Sequence, residues 1–269
     1  MKHAIAHWDN FQKQIADKYV MLFLDYDGTL TPIVESPAKA LISKQTKHLL
    51  KRLSANYRCK LAIISGRALQ DIKKKIGVRN IIYSGNHGLE IEGPSIRFEV
   101  PVSFNYKTII KQIKKELNKR LSPINGVLLE DKGFSLSLHY RLVDKERIPF
   151  VKTTFNEVVS PYLNNKIKTK TGKKVLEVRP PVEWDKGKVA LWLLDKQRYI
   201  LCGKSVMPIY IGDDVTDEDA FRALKNKSLT VFVGNPKKSH AKYYLKNTKE
   251  VFEFLKRLWS LFSLNPPSL

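Results

Sequence analysis

The sequence predicts an α/β fold: a doubly wound parallel sheet carrying a smaller inserted α+β domain. Two observations predict it. Short apolar runs alternate with helix-like stretches, and a run such as Tyr19–Leu24 (YVMLFL) has no polar face, the pattern of parallel strands covered by helices on both sides. The alternation then stops after Gly93-Pro94, gives way to hairpin patterning, and returns past Arg179-Pro180-Pro181. Residues 1–104 and 183–269 are therefore expected to form one discontinuous domain, with residues 105–182 as the insert.

The elements follow in order. Ile5, Trp8, Phe11 and Ile15 recur at helical spacing, so residues 1–18 are expected to open the chain as an amphipathic helix. The strand Tyr19–Leu24 stops at Asp25. Residues 43–55 are expected to be helical, with Ser43 as N-cap. Residues 60–64 (KLAII) give a second buried strand ending at Ser65-Gly66-Arg67, and a helix follows to Ile76. A short strand over 80–84 ends at Gly85. In the insert, a helix over 106–121 precedes a hairpin of 126–130 and 134–140. A helix near 148–163 and strands near 166–170 and 174–179 complete it. The first pattern then resumes: helix 186–197, strand 208–212, helix 217–224 and strand 229–233. Helices near 238–245 and 249–262 close the chain. Glu253, Lys256, Arg257 and Ser260 keep one face of the last helix wet, so it packs on a core rather than in a membrane.

Composition excludes several classes. At 43% hydrophobic and 28% charged, the 269 residues support a real core. No apolar run approaches the roughly 18 residues of a membrane span. The first residues, MKHAIAHWDNFQKQ, lack the apolar stretch of a secretory leader. Cys59 and Cys202 match no metal-ligand spacing and make no disulfide framework, so both are expected to be small buried residues in a reducing cytoplasm. The formal charge is +22, from 48 Lys+Arg against 26 Asp+Glu. The basic residues are scattered in groups such as Lys73-Lys74-Lys75 and Lys237-Lys238, without interleaved stacking aromatics. Nucleic acid is therefore not the expected partner; attraction of a small anionic substrate is.

The chemistry gathers where the parallel strands end. Those ends are Asp25-Tyr26-Asp27-Gly28-Thr29, Ser65-Gly66-Arg67, Gly85-Asn86-His87-Gly88, and Gly212-Asp213-Asp214-Val215-Thr216-Asp217. Open parallel sheets bind ligands beyond the carboxyl ends of their strands. Two acidic clusters placed there repel each other unless a cation sits between them. Oxygen-only ligands point to a hard ion, Mg2+ before Zn2+. For Asp214 and Asp217 a turn or helix-cap role competes with metal binding.

DYDGT after a buried strand resembles the first motif of the haloacid dehalogenase-like phosphatases, and GDDVTDEDAF their acidic fourth motif. Ser65 after KLAII matches the second motif, and Lys186 in Trp184-Asp185-Lys186-Gly187-Lys188 the third. Read in order, DYDGTLTPI, SGR, GNHGLEI, VLEVRP, DKGKVALWLL and GDDVTDEDAF are similar to the trehalose-6-phosphate phosphatases, over about residues 20–235.

The resemblance implies a haloacid dehalogenase-like core and a cap in place of the insert. It implies Asp25 as the nucleophile that forms an acyl phosphate, and Asp27 as general acid and then base. Relatives that expel no alkoxide tend to lack the second Asp, so Asp27 points to a phosphate ester of an alcohol. Mg2+ would be held by the Asp25 carboxylate, the Asp27 carbonyl and Asp213, with Asp214 a further ligand, direct or through water. Asp217 would orient a metal water or Lys186. Ser65 and Lys186 would bind phosphate oxygens. His87 and Glu90, with Glu130, Lys132 and Glu177 in the cap, are the sugar-binding candidates. For His87 a structural role competes, and for the cap charges a solvated hairpin face does. Arg67 either guards the phosphate or caps a helix, and Lys188 is an even choice between site and surface. The implied function is Mg2+-dependent hydrolysis of trehalose 6-phosphate, in the cytoplasm. The alternative is another sugar phosphate, such as sucrose 6-phosphate or a glycosyl-glycerate phosphate. The expected partner is the small-molecule sugar phosphate; a synthase that makes it would be a separate chain.

Overall fold

The computed structural model describes residues 1–200, 204–226, 228–235 and 238–264. Cys202 and Lys237 lie outside the described residues. The first third of the chain gives β1 (Lys2–His3), α1 (Trp8–Ile15), β2 (Tyr19–Leu24), α2 (Lys44–Ala55), β3 (Cys59–Ile64), α3 (Leu69–Ile76), β4 (Ile82–Gly85), β5 (Glu90–Gly93) and β6 (Ile96–Glu99). There follow α4 (Tyr106–Leu121), β7 (Leu128–Asp131), β8 (Leu136–His139), α5 (Ile148–Val159), β9 (Lys168–Gly172) and β10 (Val175–Arg179). The rest is α6 (Lys186–Ile200), β11 (Val206–Gly212), α7 (Val215–Leu224), β12 (Leu229–Val233), β13 (Tyr243–Leu245) and α8 (Thr248–Leu264). These elements form two compact units: residues 1–98 with 184–269, and residues 99–183.

The larger unit is built on a nine-stranded sheet of order β1-β13-β12-β11-β2-β3-β4-β5-β6. From β1 to β4 every pair is parallel, and β5 turns antiparallel to β4. The strand period of two sorts each central strand onto two helical layers. Val20, Leu22 and Leu24 of β2 join a cluster with α2, α3 and α8, through Leu50, Ile72 and Phe254. Met21 and Phe23 face the other way, into a cluster with Val189 and Leu193 of α6 and Phe221 of α7. Burial on both faces is why these strands carry no polar alternation. Ser43 caps α2, its hydroxyl accepting from the Thr46 N–H at 3.0 Å.

The smaller unit has a four-stranded antiparallel sheet of order β7-β8-β10-β9. Leu136, Leu138, Leu176 and Val178 pack against Ile113 and Leu117 of α4 and Phe155 of α5. The residues between them, Ser137 and Glu177, therefore stand on the opposite face.

Three expectations are corrected. The opening helix spans only Trp8–Ile15, because Lys2–His3 pairs in parallel with β13. The helix expected near 238–245 is instead strand β13, whose Tyr243–Leu245 pair with Val231–Val233 of β12. Its aromatic and branched residues suit a strand once a sheet edge is there to receive them. Strands β5 and β6 were not anticipated; Ile91, and Ile96 with Phe98, extend the α6-side cluster along that edge.

Candidate active site

In the larger unit, β2 and β11 lie side by side at the middle of the sheet. From β2 the chain winds outward through β3 and β4, and from β11 the opposite way through β12 and β13. This is a topological switch point, where an open α/β sheet leaves a crevice beyond its strand ends. Asp25 and Asp213 are the first residues past these two strands.

Asp25 is 5% exposed, and its N–H donates to the Ile211 carbonyl at 3.0 Å, which ties the two strand ends together. Lys186, the first residue of α6 and 3% exposed, donates to Asp25 Oδ1 at 2.7 Å and to Asp217 Oδ1 at 2.8 Å. Asp217 is fully buried and accepts from four groups. Its Oδ1 takes Lys186 and the Tyr210 hydroxyl, the latter at 2.9 Å, and its Oδ2 takes the N–H groups of Asp213 and Asp214 at 3.1 and 3.0 Å. Asp214 is the N-cap of α7, its side chain accepting from Val215 N–H at 2.7 Å. Carboxylate oxygens of Asp25, Asp213 and Asp217 come within 4.8 Å of one another.

Burial pushes the Asp25 carboxyl well above its ordinary range, against the pull of Lys186. Burial and then Asp217 push Asp213 up to about 7. Burial works against the Lys186 charge, yet Asp217 and Asp25 together hold its ammonium more firmly protonated than usual. Burial and Asp217 likewise keep the Tyr210 hydroxyl protonated, so it serves as a donor. The donor set is oxygen only, and its crowding is of the kind a hard cation relieves. The residues thus fit Mg2+.

Two glycines let these groups approach. At Gly28 φ is +88°, and a Cβ there would lie 2.1 Å from Asp213 Oδ2. At Gly66 a Cβ would lie 2.5 Å from the His87 ring, which packs over the turn that carries Ser65. Ser65 is buried, and its hydroxyl accepts from the Arg67 N–H at 3.2 Å. His87 donates its N–H to the Ser65 carbonyl at 2.9 Å and has φ of 56°. Glu90 accepts from the Asn86 amide at 2.5 Å. Thr29 donates to Asp213 at 3.4 Å. Arg67 faces Asp27: Nε and Nη2 reach its two carboxylate oxygens, each at 2.7 Å. Lys188 is exposed on α6.

In the smaller unit, Glu130, Ser137 and Glu177 are register partners across β7, β8 and β10. Glu177, 6% exposed, accepts from Lys132 at 3.3 Å, Ser137 at 3.2 Å and Arg179 Nε at 2.6 Å. Glu130 meets His139 Nε2 at 2.9 Å. Glu130, Lys132 and Glu177 therefore form one polar cluster on the sheet face away from the helices.

Sequence reading missed Tyr210, Asp71 and His139. A tyrosine inside a buried strand is a signal, since its hydroxyl needs a partner. Asp71 stands four residues after Arg67, within reach on a helix. His139 follows Ser137 at strand period, so it shares a face with the register partners of Glu130 and Glu177.

Residues 23–249 match the trehalose-phosphatase family. A probable trehalose-phosphate phosphatase 4 of Oryza sativa subsp. japonica is 36% identical over 261 residues, 95% of this chain and 70% of the relative. Trehalose-phosphate phosphatase B of Arabidopsis thaliana is 35% identical over 267 residues, again 95% and 70%. A solved C-terminal domain of the C. albicans trehalose-6-phosphate phosphatase superposes with a TM-score of 0.77 at 26% identity, covering 94% of this chain and 96% of that one. With a family match that spans the strand-end motifs and both units, the chain belongs to the trehalose-phosphatases.

Proposed function

We propose that the protein hydrolyses trehalose 6-phosphate to trehalose and phosphate through an aspartyl-phosphate on Asp25. The observation that carries this reading is Asp25 itself: a buried carboxylate at the switch point, 2.7 Å from the Lys186 ammonium, in a chain of this family. Lys186 offsets the negative charge of nucleophile and phosphate together, so the carboxylate can meet a dianion. Asp217 and Tyr210 keep that ammonium in place. Mg2+ would be held by the Asp25 and Asp213 carboxylates, the Asp27 carbonyl and Asp214; when bound, it supplies further charge compensation at the phosphoryl group. The four donors on Asp217 leave it to position Lys186 and the Asp213-Asp214 turn. Ser65 is assigned a phosphate oxygen.

Asp27 is assigned the proton work. As acid it protonates the departing sugar oxygen; as base it takes the proton of the water that cleaves the acyl phosphate. Glu130, Lys132 and Glu177 are assigned the sugar hydroxyls, with His87 and Glu90, because carboxylates and ammonium groups together serve hydroxyls as donor and acceptor. The segment 105–182 is proposed as the family's cap. A reducing cytoplasm is proposed as the protein's compartment, in which the buried thiol of Cys59 stays free.

The test is phosphate release from trehalose 6-phosphate, sucrose 6-phosphate, glucose 6-phosphate and p-nitrophenyl phosphate, with Mg2+ and with an Asp25→Asn control. A preference of about 100-fold or more for trehalose 6-phosphate supports the reading. A flat panel, or a different winner, keeps the Asp25 chemistry and discards the substrate.

A further inference from the structure

Arg67 is held in a way that neither of the roles expected for it explains. Its side chain is 7% exposed, while that of Asp27 is 42% exposed. Its fork takes both oxygens of Asp27, each at 2.7 Å. The far side of the guanidinium is fixed independently: Nη1 donates to Asp71 Oδ2 at 2.9 Å, and Nη2 donates to the Pro37 carbonyl at 2.9 Å. The Tyr26 ring lies 5.3 Å from its central carbon and adds a cation–π contact. Asp71 and Pro37 belong to α3 and to the loop before α2, so neither depends on Asp27 to stay in place.

This is a cation anchored at its back and presented at its front to one part-exposed carboxylate. A phosphate guard would keep its N–H groups for the phosphate, and a helix cap would spend them on the helix. Both oxygens of Asp27 are engaged here, so Asp27 cannot at the same time hand a proton to a sugar oxygen.

We propose that Arg67 is a positioning residue that receives the Asp27 carboxylate after Asp27 has given up its proton. The inference rests on the reading of Asp27 as acid and base. In the first half of the cycle the P–O bond to the sugar breaks and the phosphoryl group passes to Asp25. The electron pair stays on the sugar oxygen, which takes the Asp27 proton, and Asp27 is left as a carboxylate on the Arg67 fork. In the second half Asp27 leaves the fork and takes a proton from water, as that water's oxygen attacks phosphorus and the Asp25–phosphorus bond breaks. Asp27 ends protonated, and phosphate departs. The fork thus stabilises the product side of proton donation, with a bidentate pair whose orientation is fixed beforehand.

The experiment measures the first turnover of trehalose 6-phosphate, read as trehalose released, and of p-nitrophenyl phosphate, read as p-nitrophenolate. The second leaving group departs as a stable anion and needs no proton. Arg67→Gln should slow trehalose release about tenfold or more and p-nitrophenolate release by less than about threefold. In an Asp27→Asn background the same change should add nothing, because there is no carboxylate to receive. Arg67→Lys should recover part of the loss, since it keeps the charge and loses the fork. Asp71→Asn, which loosens the anchor and leaves the guanidinium, should show the same selectivity at smaller amplitude and serves if Arg67→Gln does not fold. Equal slowing of both substrates, or a full further loss in the Asp27→Asn background, would overturn the proposal. If Asp27→Asn itself slows both leaving groups equally, the acid–base reading of Asp27 has failed, which is a separate result.

Discussion

Replacing Lys186 with methionine removes the cation that stands between two buried carboxylates. Its Nζ lies 2.7 Å from Asp25 and 2.8 Å from Asp217. Methionine nearly keeps the volume, so the cost is electrostatic rather than a cavity. Removing one partner of a buried ion pair costs about 3–5 kcal/mol, a large part of the ~5–15 kcal/mol that stabilises a domain. Asp217 keeps three donors, from Tyr210 and the N–H groups of Asp213 and Asp214, so most of the strain falls on Asp25. The sign with pH follows. Lys186 pulls the Asp25 carboxyl down; without it burial drives that carboxyl higher still. A group whose folded-state value is raised destabilises the folded state once it is ionised, and the penalty disappears as it takes up its proton. The deficit of the variant should therefore be full at alkaline pH and shrink as falling pH protonates Asp25. Urea unfolding of both proteins across a pH series, with chelator present, measures it. A loss below about 1 kcal/mol, or one that does not change with pH, would refute the reasoning. Turnover of the variant should fall about 100-fold or more, the scale for removing a preorganised charge beside a developing oxyanion.

Asp25→Asn should stop phosphate release and leave the circular dichroism unchanged; activity near that of the wild type would remove Asp25 as nucleophile. Asp213, pushed up to about 7, must lose its proton before it binds a cation. The Mg2+ affinity, read by titration calorimetry, should therefore fall up to about tenfold per pH unit below about 7, and a flat profile would take Asp213 out of the metal site. Glu130→Ala should raise KM for the disaccharide phosphate far more than for p-nitrophenyl phosphate, whereas equal effects would remove Glu130 from sugar recognition. Gly28→Ala puts a Cβ 2.1 Å from Asp213 Oδ2 at a φ of +88°, so it should weaken Mg2+ binding and lower activity together; calorimetry and assay that match the wild type would show that the loop shifts freely.

Much of this was legible in the sequence, for stated reasons. Strands buried on both faces announce themselves by apolar runs, as in β2, in β3 past Lys60, and in the buried stretch of β11. Their acidic ends follow directly, because the chain must leave the sheet there. Short strands near the sheet edge carry a weaker signal. The edge strand β1 is two residues long, and β13 beside it is three residues without a complete alternation. β13 is a strand because β12 receives it, and β1 because β13 does, a tertiary fact that no local window holds. The role of Arg67 was hidden for the same reason. Asp27 lies forty residues away, and only the packing of the turn after β3 against the loop after β2 brings fork and carboxylate together.

In the acidic fourth segment, folding gives neighbouring carboxylates different surroundings. Asp213 and Asp214 are neighbours and look like a ligand pair, with Asp217 an outlier one turn on. Folding separates them by what each must satisfy. Asp214 sits where α7 begins and spends its side chain on the helix's own N–H groups, an exposed position at the rim of the turn. Asp217 is the third residue of that helix, and from there its carboxylate folds back onto the N–H groups of Asp213 and Asp214, closing a capping box. A capping box needs only one oxygen for this. The other points inward and meets Lys186 and Tyr210. The start of α7 and the position of the Lys186 ammonium are therefore fixed by one buried side chain, and Asp213 and Asp214, both proposed to hold the cation, are set by the N–H groups that this side chain receives.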